Sequence, residues 1–280
     1  AMDSADTWAN PWLFKLDEKN CPTQVAGCPP DGFSATGQLW GNPLYNWEVH
    51  RNSGYEWWIK RIANCFRLYD VVRIDHFRGF DEYYAIPYGD ATAENGWWEK
   101  GPGIDLFRAI SASLGDREII AEDLGYMTDS VKRLVEESGY PNMKVIEFAF
   151  DERDTGNASD YLPHNYPRNC VVYTGTHDNE TLLSWLEDIT PAERRQVRKY
   201  LNNFKDSGKE LCDDLICLVM QSVANLCIVP MQDYLGLDNS ARMNQPSTLG
   251  KNWKWRLKEG QFTAELQKEM LELATRYGRK

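Results

Sequence analysis

No apolar run in this 280-residue chain reaches the roughly 18 residues that a membrane-spanning helix needs. The start, AMDSADTWAN, is polar where a signal peptide would be apolar, so a cytoplasmic location is expected. Positive charge is scarce: 31 Lys and Arg against 42 Asp and Glu leave a net charge of −11. Such a surface repels phosphate backbones, so neither nucleic acid nor a membrane is an expected partner. No glycine-rich phosphate loop is present. No CxxC pair occurs among the seven cysteines, Cys21, Cys28, Cys65, Cys170, Cys212, Cys217 and Cys227. Their odd number and apolar settings predict free thiols in a reducing compartment rather than disulfides or a metal site. No linker, repeat or low-complexity tract interrupts the chain, which therefore reads as one domain.

Aromatic residues, by contrast, are plentiful, with 11 Trp, 14 Tyr and 10 Phe. Several tryptophans stand in polar company: Trp8 near Asn10, Trp40 in GQLWGNP, Trp57–Trp58, and Trp97–Trp98 among Glu94, Asn95 and Glu99. Flat apolar rings beside amides and carboxylates suit the faces and hydroxyls of sugars. For any single one, packing under a long loop is an equal alternative.

Residues 1–50 and 81–103 show no sustained periodicity and read as long loops. Between and after them, short apolar runs alternate with amphipathic stretches. Strands are expected in DVVRID (70–75), EIIAEDLG (118–125), MKVIEFAF (143–150), CVVYTGTHD (170–178) and LCIVPMQDYLG (226–236). Helices are expected over 53–69, 105–115, 128–139, 190–201, 215–225 and 262–279. The fourth of these opens with a full capping box, Thr190, Pro191 and Glu193. The alternation predicts a parallel α/β fold.

The expected strands end in polar groups: Asp75, Glu122–Asp123, His177–Asp178 and Gln232–Asp233. Functional groups at the carboxyl ends of parallel strands are characteristic of (β/α)8 barrels. A lone Asp at a strand end is more often a cap or an ion-pair partner. Repetition at successive strand ends, with Trp-rich loops between, shifts the balance towards chemistry. Carboxylates meeting at one barrel mouth suit glycosidic bond cleavage, in which one is the nucleophile and a second, its pKa raised, is the acid. Arg73, two residues before Asp75 on the same strand face, is placed to keep Asp75 ionised. His76 and His177 add hydroxyl donors.

Taken together, VVRIDHFRGF, IIAEDLG, MKVIEFAFD and VVYTGTHDNET resemble the 4-α-glucanotransferases of glycoside hydrolase family 77, or amylomaltases. VAGCPPDGFSATGQLWGNPLY, YLPHNYP, PMQDYLGLDNSARMNQPST and NWKWRL are similar to that family as well, in the same order along the chain. The resemblance implies an α-amylase-type (β/α)8 TIM barrel acting on α-1,4-glucans and maltooligosaccharides, with no cofactor and no metal. It implies Asp75 as nucleophile, Glu122 as general acid/base and Asp178 as stabiliser of the transition state. Arg73 would support Asp75, and His76 and His177 would line the subsite of the cleaved bond. Asp3 and Trp8 match a substrate-binding block, and Phe33, Gln38, Trp40 and Asn42 match the loop over the acceptor. Family chains are roughly twice as long, so residues 1–280 would be the C-terminal part of a single catalytic barrel. Residues 1–50 would form its substrate-binding loop region, and 51–280 strands four to eight with their helices. Strands one to three would be missing, to be supplied by a companion fragment. Gly32 stands where many relatives carry an aromatic, which bears on the ratio of transfer to hydrolysis. Two rival readings remain: an α-1,4-glucan hydrolase, and an inactive glucan-binding fragment that needs a companion chain.

Overall fold

The computed structural model describes residues 1–279 apart from 31–33, 126, 152–157, 205–206 and 247. Gly32 and Phe33 therefore lie outside the described residues. The chain divides into two compact units, residues 1–142 and 143–280.

In the first unit, helix α1 (Ala5–Ala9) precedes strands β1 (Gln24–Cys28) and β2 (Gln38–Pro43) and helices α2 (Trp47–Asn52) and α3 (Glu56–Cys65). Strands β3 (Val72–Ile74), β4 (Glu82–Pro87) and β5 (Trp97–Lys100) follow. Helix α4 (Ile104–Leu114), strand β6 (Ile119–Ala121), helix α5 (Asp129–Ser138) and the start of β7 (Asn142–Val145) complete the unit. β3 and β6 run parallel in the register Val72↔Ile119, Arg73↔Ile120, Ile74↔Ala121, and β6 pairs with Asn142 of β7.

Both long loops expected from the sequence contain strands. β2, β1, β4 and β5 form a four-stranded antiparallel sheet in that order. Glycine within the strand sequences hid it. A Cβ on Gly27 would lie 2.1 Å from the Gln38 carbonyl oxygen and 2.4 Å from Ile86, so the close approach of β1 to its neighbours demands glycine there. The β1–β2 register also shifts between Val25 and Gly27, which breaks the alternation a strand normally shows.

Behind β3 and β6, the apolar faces of α3, α4 and α5 bury Trp58, Ile62, Leu106, Phe107, Ile110 and Leu134 against Ile74 and Ala121. The helix expected over 53–69 is shorter, α3 covering only Glu56–Cys65. α2 ends at Asn52, and Gly54 and Tyr55 turn through φ +63° and +60° before α3 begins. α5 starts on Thr128, whose side chain accepts the Val131 N–H, and stops at Gly139 with φ +70°. Rings continue the core as a chain. Trp47 stacks on Trp58 (5.9 Å between centroids, planes 21° apart), Trp58 meets Phe80 at 5.4 Å, and Phe77 stacks on Phe107 at 4.7 Å. The Arg61 guanidinium lies 5.3 Å from the Trp57 ring and 5.2 Å from that of Trp58.

In the second unit, the rest of β7 is followed by β8 (Cys170–Tyr173), helices α6 (Leu182–Asp188), α7 (Pro191–Leu201) and α8 (Gly208–Met220), strand β9 (Leu226–Ile228), and helices α9 (Met231–Tyr234) and α10 (Ala264–Arg276). β8 and β9 are parallel, with Val171↔Leu226 and Tyr173↔Ile228. The strands are shorter than expected. After Val145 the chain tightens into a 3-10 turn, Ile146–Phe150. After Ile228, Pro230 caps α9, so Asp233 sits on a helix and not at a strand end. The capping box of α7 is complete: Glu193 Oε2 accepts the Thr190 N–H at 2.7 Å and Thr190 Oγ1 the Glu193 N–H at 3.2 Å. α8 buries Leu211, Leu215, Ile216 and Val219. All seven cysteines are free thiols. Among the described residues, no helix is long and apolar enough to cross a membrane.

Candidate active site

β3 and β6 end side by side, and their last residues build the first part of the site. Asp75 follows β3 with its side chain 78% exposed, and Arg73 Nη1 donates to its Oδ1 at 2.9 Å. Glu122 follows β6 and is buried. Its Oε2 accepts the His76 N–H at 2.6 Å and its Oε1 the Leu124 N–H at 2.9 Å. The backbones are laced as well: Glu122 N–H donates to Ile74 O at 3.0 Å and Phe77 N–H to Glu122 O at 2.9 Å. Burial pushes the Glu122 pKa up and the Asp75 charge adds to this, while the two backbone donors and Arg73 oppose it. Two neighbouring carboxyls are thus set apart by environment, one exposed and bound by a guanidinium, the other buried and inclined to keep its proton.

His76 makes this arrangement possible by taking the left-handed conformation, φ 49° and ψ 51°. The turn aims its N–H at Glu122 and lays its ring edge-on against Trp40, 4.8 Å between centroids. Burial, with Arg78 nearby, lowers the His76 pKa to about 4 despite the opposing charge of Asp75. The imidazole is therefore neutral at physiological pH. Trp40 is held by Gln38, whose Oε1 accepts its indole N–H at 3.1 Å. Asn42 lies exposed further along β2. Arg78 stacks its guanidinium 4.1 Å from the Trp98 ring centroid. Asp3 and Trp8 are exposed, Trp8 at 85%. Among the described residues, no hydrogen bond or ring contact brings either of them to Asp75 or Glu122.

In the second unit, Asp178 lies in the loop after β8, its side chain 45% exposed. His177 Nε2 is 3.2 Å from its Oδ2. Asn244 Nδ2 donates to its Oδ1 at 2.5 Å, and Arg242 Nη2 donates to its backbone oxygen at 2.6 Å. Asn244 N–H donates to His177 O at 3.0 Å, and the Trp253 ring lies 5.1 Å from that of His177. The sequence assigned no role to Arg242, Asn244 or Trp253. The quoted blocks SARMNQPST and NWKWRL contained them, but no local pattern ties residues 64 or more positions away to Asp178. Asp233 and Asp123, both strand-end candidates, prove to be buried supports. Asp233 accepts Thr174 Oγ1–H at 2.6 Å and Leu182 N–H at 2.9 Å, and Asp123 accepts from Asn142 at 3.2 Å. Among the described residues, no group of three or more His, Cys, Asp or Glu is placed to hold a metal ion.

The tryptophans divide. Trp47, Trp57 and Trp58 pack together, whereas Trp8, Trp12, Trp40, Trp97 and Trp98 are exposed.

A family model described as 4-alpha-glucanotransferase matches residues 1–263. The 4-alpha-glucanotransferase of Streptococcus pneumoniae (strain TIGR4) is 50% identical over 280 residues, covering 100% of this chain and 54% of that protein. The 4-alpha-glucanotransferase of Clostridium butyricum is 49% identical, covering 100% and 57%. The chain thus spans about half the length of the curated relatives it matches. The solved amylomaltase of Streptococcus agalactiae, in complex with acarbose, superposes with a TM-score of 0.94 at 40% identity, covering 100% of this chain and 56% of that one. That of Corynebacterium glutamicum superposes at 0.73 with 18% identity, covering 100% and 45%, which is a likeness of fold alone.

Proposed function

The chain belongs to the 4-alpha-glucanotransferase family of glycoside hydrolase family 77, and from that membership we propose that it transfers α-1,4-glucan segments between maltooligosaccharides with retention of configuration. Asp75 attacks the anomeric carbon, displacing the leaving oxygen as Glu122 protonates it. The glycosyl group is then bonded to Asp75. Glu122, now ionised, takes the proton of an acceptor glucan hydroxyl, which attacks the anomeric carbon and frees Asp75. Asp178 holds sugar hydroxyls more tightly as the ring flattens towards an oxocarbenium ion. Arg73 holds Asp75 in place. Neutral His76, with His177, Asp3, Trp8, Phe33, Gln38, Trp40 and Asn42, contacts the glucan. The observation that carries this reading is the pairing of a wet, guanidinium-bound Asp75 with a buried Glu122 whose pKa is raised.

The same reading makes residues 1–280 the C-terminal part of a single (β/α)8 barrel. β3, β6, β7, β8 and β9 are its fourth to eighth strands, and strands one to three come from elsewhere. Its place of work in this reading is the cytoplasm, and its substrates are α-1,4-glucans. The test is incubation with maltotriose. Glucose plus longer maltooligosaccharides, with no net gain of reducing ends, is the expected result. A net gain of reducing ends makes it a hydrolase instead. Assaying the 280 residues alone and mixed with a fragment carrying the missing strands separates a self-sufficient enzyme from one that needs its companion.

A further inference from the structure

Trp253 stands beside His177 in the second unit and has no part in this mechanism. The residue is 52% exposed, and its ring lies 5.1 Å from that of His177 with the planes 37° apart. The backbone beneath it is strained. φ at Trp253 is +63°, in the left-handed region that a bulky side chain seldom adopts.

The surrounding loop enforces this conformation. Trp253 N–H donates to Met243 O at 2.6 Å, and Arg256 Nη1 donates to the Trp253 and Trp255 carbonyl oxygens at 2.9 and 2.7 Å. Asn252, one residue earlier, ties the loop to Gln245 and Thr248: its Oδ1 accepts the Gln245 N–H at 3.0 Å and its Nδ2 donates to Thr248 O at 3.0 Å. Met243 and Asn244 then serve both sides. Met243 O holds Trp253, while Asn244 donates through its backbone to His177 O at 3.0 Å and through its side chain to Asp178 Oδ1 at 2.5 Å. One two-residue segment thus sets the indole, the imidazole and the carboxylate relative to one another.

Burial does not account for the strain. With the residue half exposed, keeping the ring in place gains little apolar area. Asn or Gly at this position would take the positive φ more readily. Strained backbone of this kind clusters at ligand sites, where the surroundings hold it. What the strain presents here is an open indole face beside a carboxylate 45% exposed and an imidazole 38% exposed. Such a set offers an apolar wall for the C–H face of a hexose and two groups for its hydroxyls.

We propose that Trp253 is a substrate-binding residue: a glucose unit of the glucan packs its C–H face on the indole while His177 and Asp178 hold its hydroxyls. The proposal rests on the reading of Asp178 as the group that grips sugar hydroxyls.

The test uses Trp253→Phe, which keeps an aromatic face, and Trp253→Asn, which suits the left-handed backbone and removes the ring. Both are made in the form of the protein that transfers glucan. Trp253→Asn should raise the maltotriose KM by about 10- to 100-fold, as loss of an aromatic anchor does, with kcat changed much less. It should melt no lower than wild type, because the strain leaves with the ring. Trp253→Phe should recover most of the lost affinity. In an NMR titration with maltohexaose, made in an Asp75→Asn background to prevent turnover, the indole N–H signal of Trp253 should shift; its absence from Trp253→Phe assigns it. A Trp253→Asn variant with the wild-type KM overturns the proposal, whatever its melting temperature. An indole signal that stays in place at saturating maltohexaose overturns it as well. Should Trp253→Asn not fold, the titration decides, since there the ring is intact. Protein that binds no maltohexaose refutes the functional reading, whereas protein that binds it with the Trp253 signal unmoved refutes this proposal alone.

Discussion

The two units hold their site carboxyls in different ways. In residues 1–142, Glu122 is fixed by main chain, the N–H groups of His76 and Leu124. In residues 143–280, Asp178 is fixed largely by side chains, those of Asn244, Arg242 and Thr176. Backbone donors cannot be mutated away, so the first arrangement resists substitution anywhere but at the acids themselves. The second can be undone from a distance, by residues that touch no substrate.

Substitutions at the acids probe the main-chain side, with the largest expected losses. Asp75→Asn should reduce maltotriose disproportionation by at least about 1,000-fold, as removal of a nucleophile does; turnover near the wild-type rate removes Asp75 from the mechanism. Glu122→Gln should cost about 100- to 10,000-fold. It should also remove the alkaline limb of the kcat/KM profile, because a general acid fails as pH rises through its pKa, here a raised one. A glucosyl donor whose leaving group needs no proton should recover much of the first-step rate.

On the side-chain side, Asn244→Ala should lower kcat by about 10- to 100-fold, the equivalent of the 1.5–3 kcal/mol of a hydrogen bond to a charged group. An unchanged kcat would erase the contrast between the units. Two smaller effects concern stability. A carboxyl whose folded pKa is raised contributes stability that is full below its unfolded pKa and is lost as pH rises through the folded value. Burial raises the pKa of Glu147, in the 3-10 turn after β7, well above the ordinary carboxylate range, so Glu147→Gln should melt at a higher temperature than wild type at pH 8 and converge with it near pH 4, by thermal denaturation. His76 has the opposite sign: its pKa falls from 6.5 to about 4, so its contribution is present above pH 6.5 and is lost as pH falls towards 4. His76→Gln should flatten that part of the stability curve.

What was legible in the sequence follows the same division between local and distant causes. The strands β3 (VRI), β6 (IIA) and β8 (CVVY) are short runs rich in Val and Ile, β3 interrupted by Arg73, and a buried parallel strand reads in much that way. Asp75 and Glu122 stand where the sequence put them because a strand end is a local feature, whereas Asp178 lies in the loop beyond β8. The antiparallel sheet was hidden by Gly27 and by strands as short as Trp97–Lys100, whose pairing depends on partners far along the chain. Pro230 and Met231 looked like a continuation of β9 because the run is apolar, but the structure turns it into α9 and makes Asp233 a buried support. Arg242 and Asn244 acquire meaning only from the loop that brings them to His177 and Asp178. Exposure sorted the tryptophans, which composition alone had left undivided between packing and sugar contact.

The stacked indoles of Trp47 and Trp58 offer an optical handle on the first unit. Two chromophores 5.9 Å apart at a fixed angle share their electronic excitation, and the shared excitation produces a paired positive and negative band in circular dichroism. The signal requires both rings to keep their mutual orientation. It disappears when α2 and α3 separate, even where helix content survives. Docking of these two helices can therefore be followed in real time without a label, and Trp47→Phe supplies the blank.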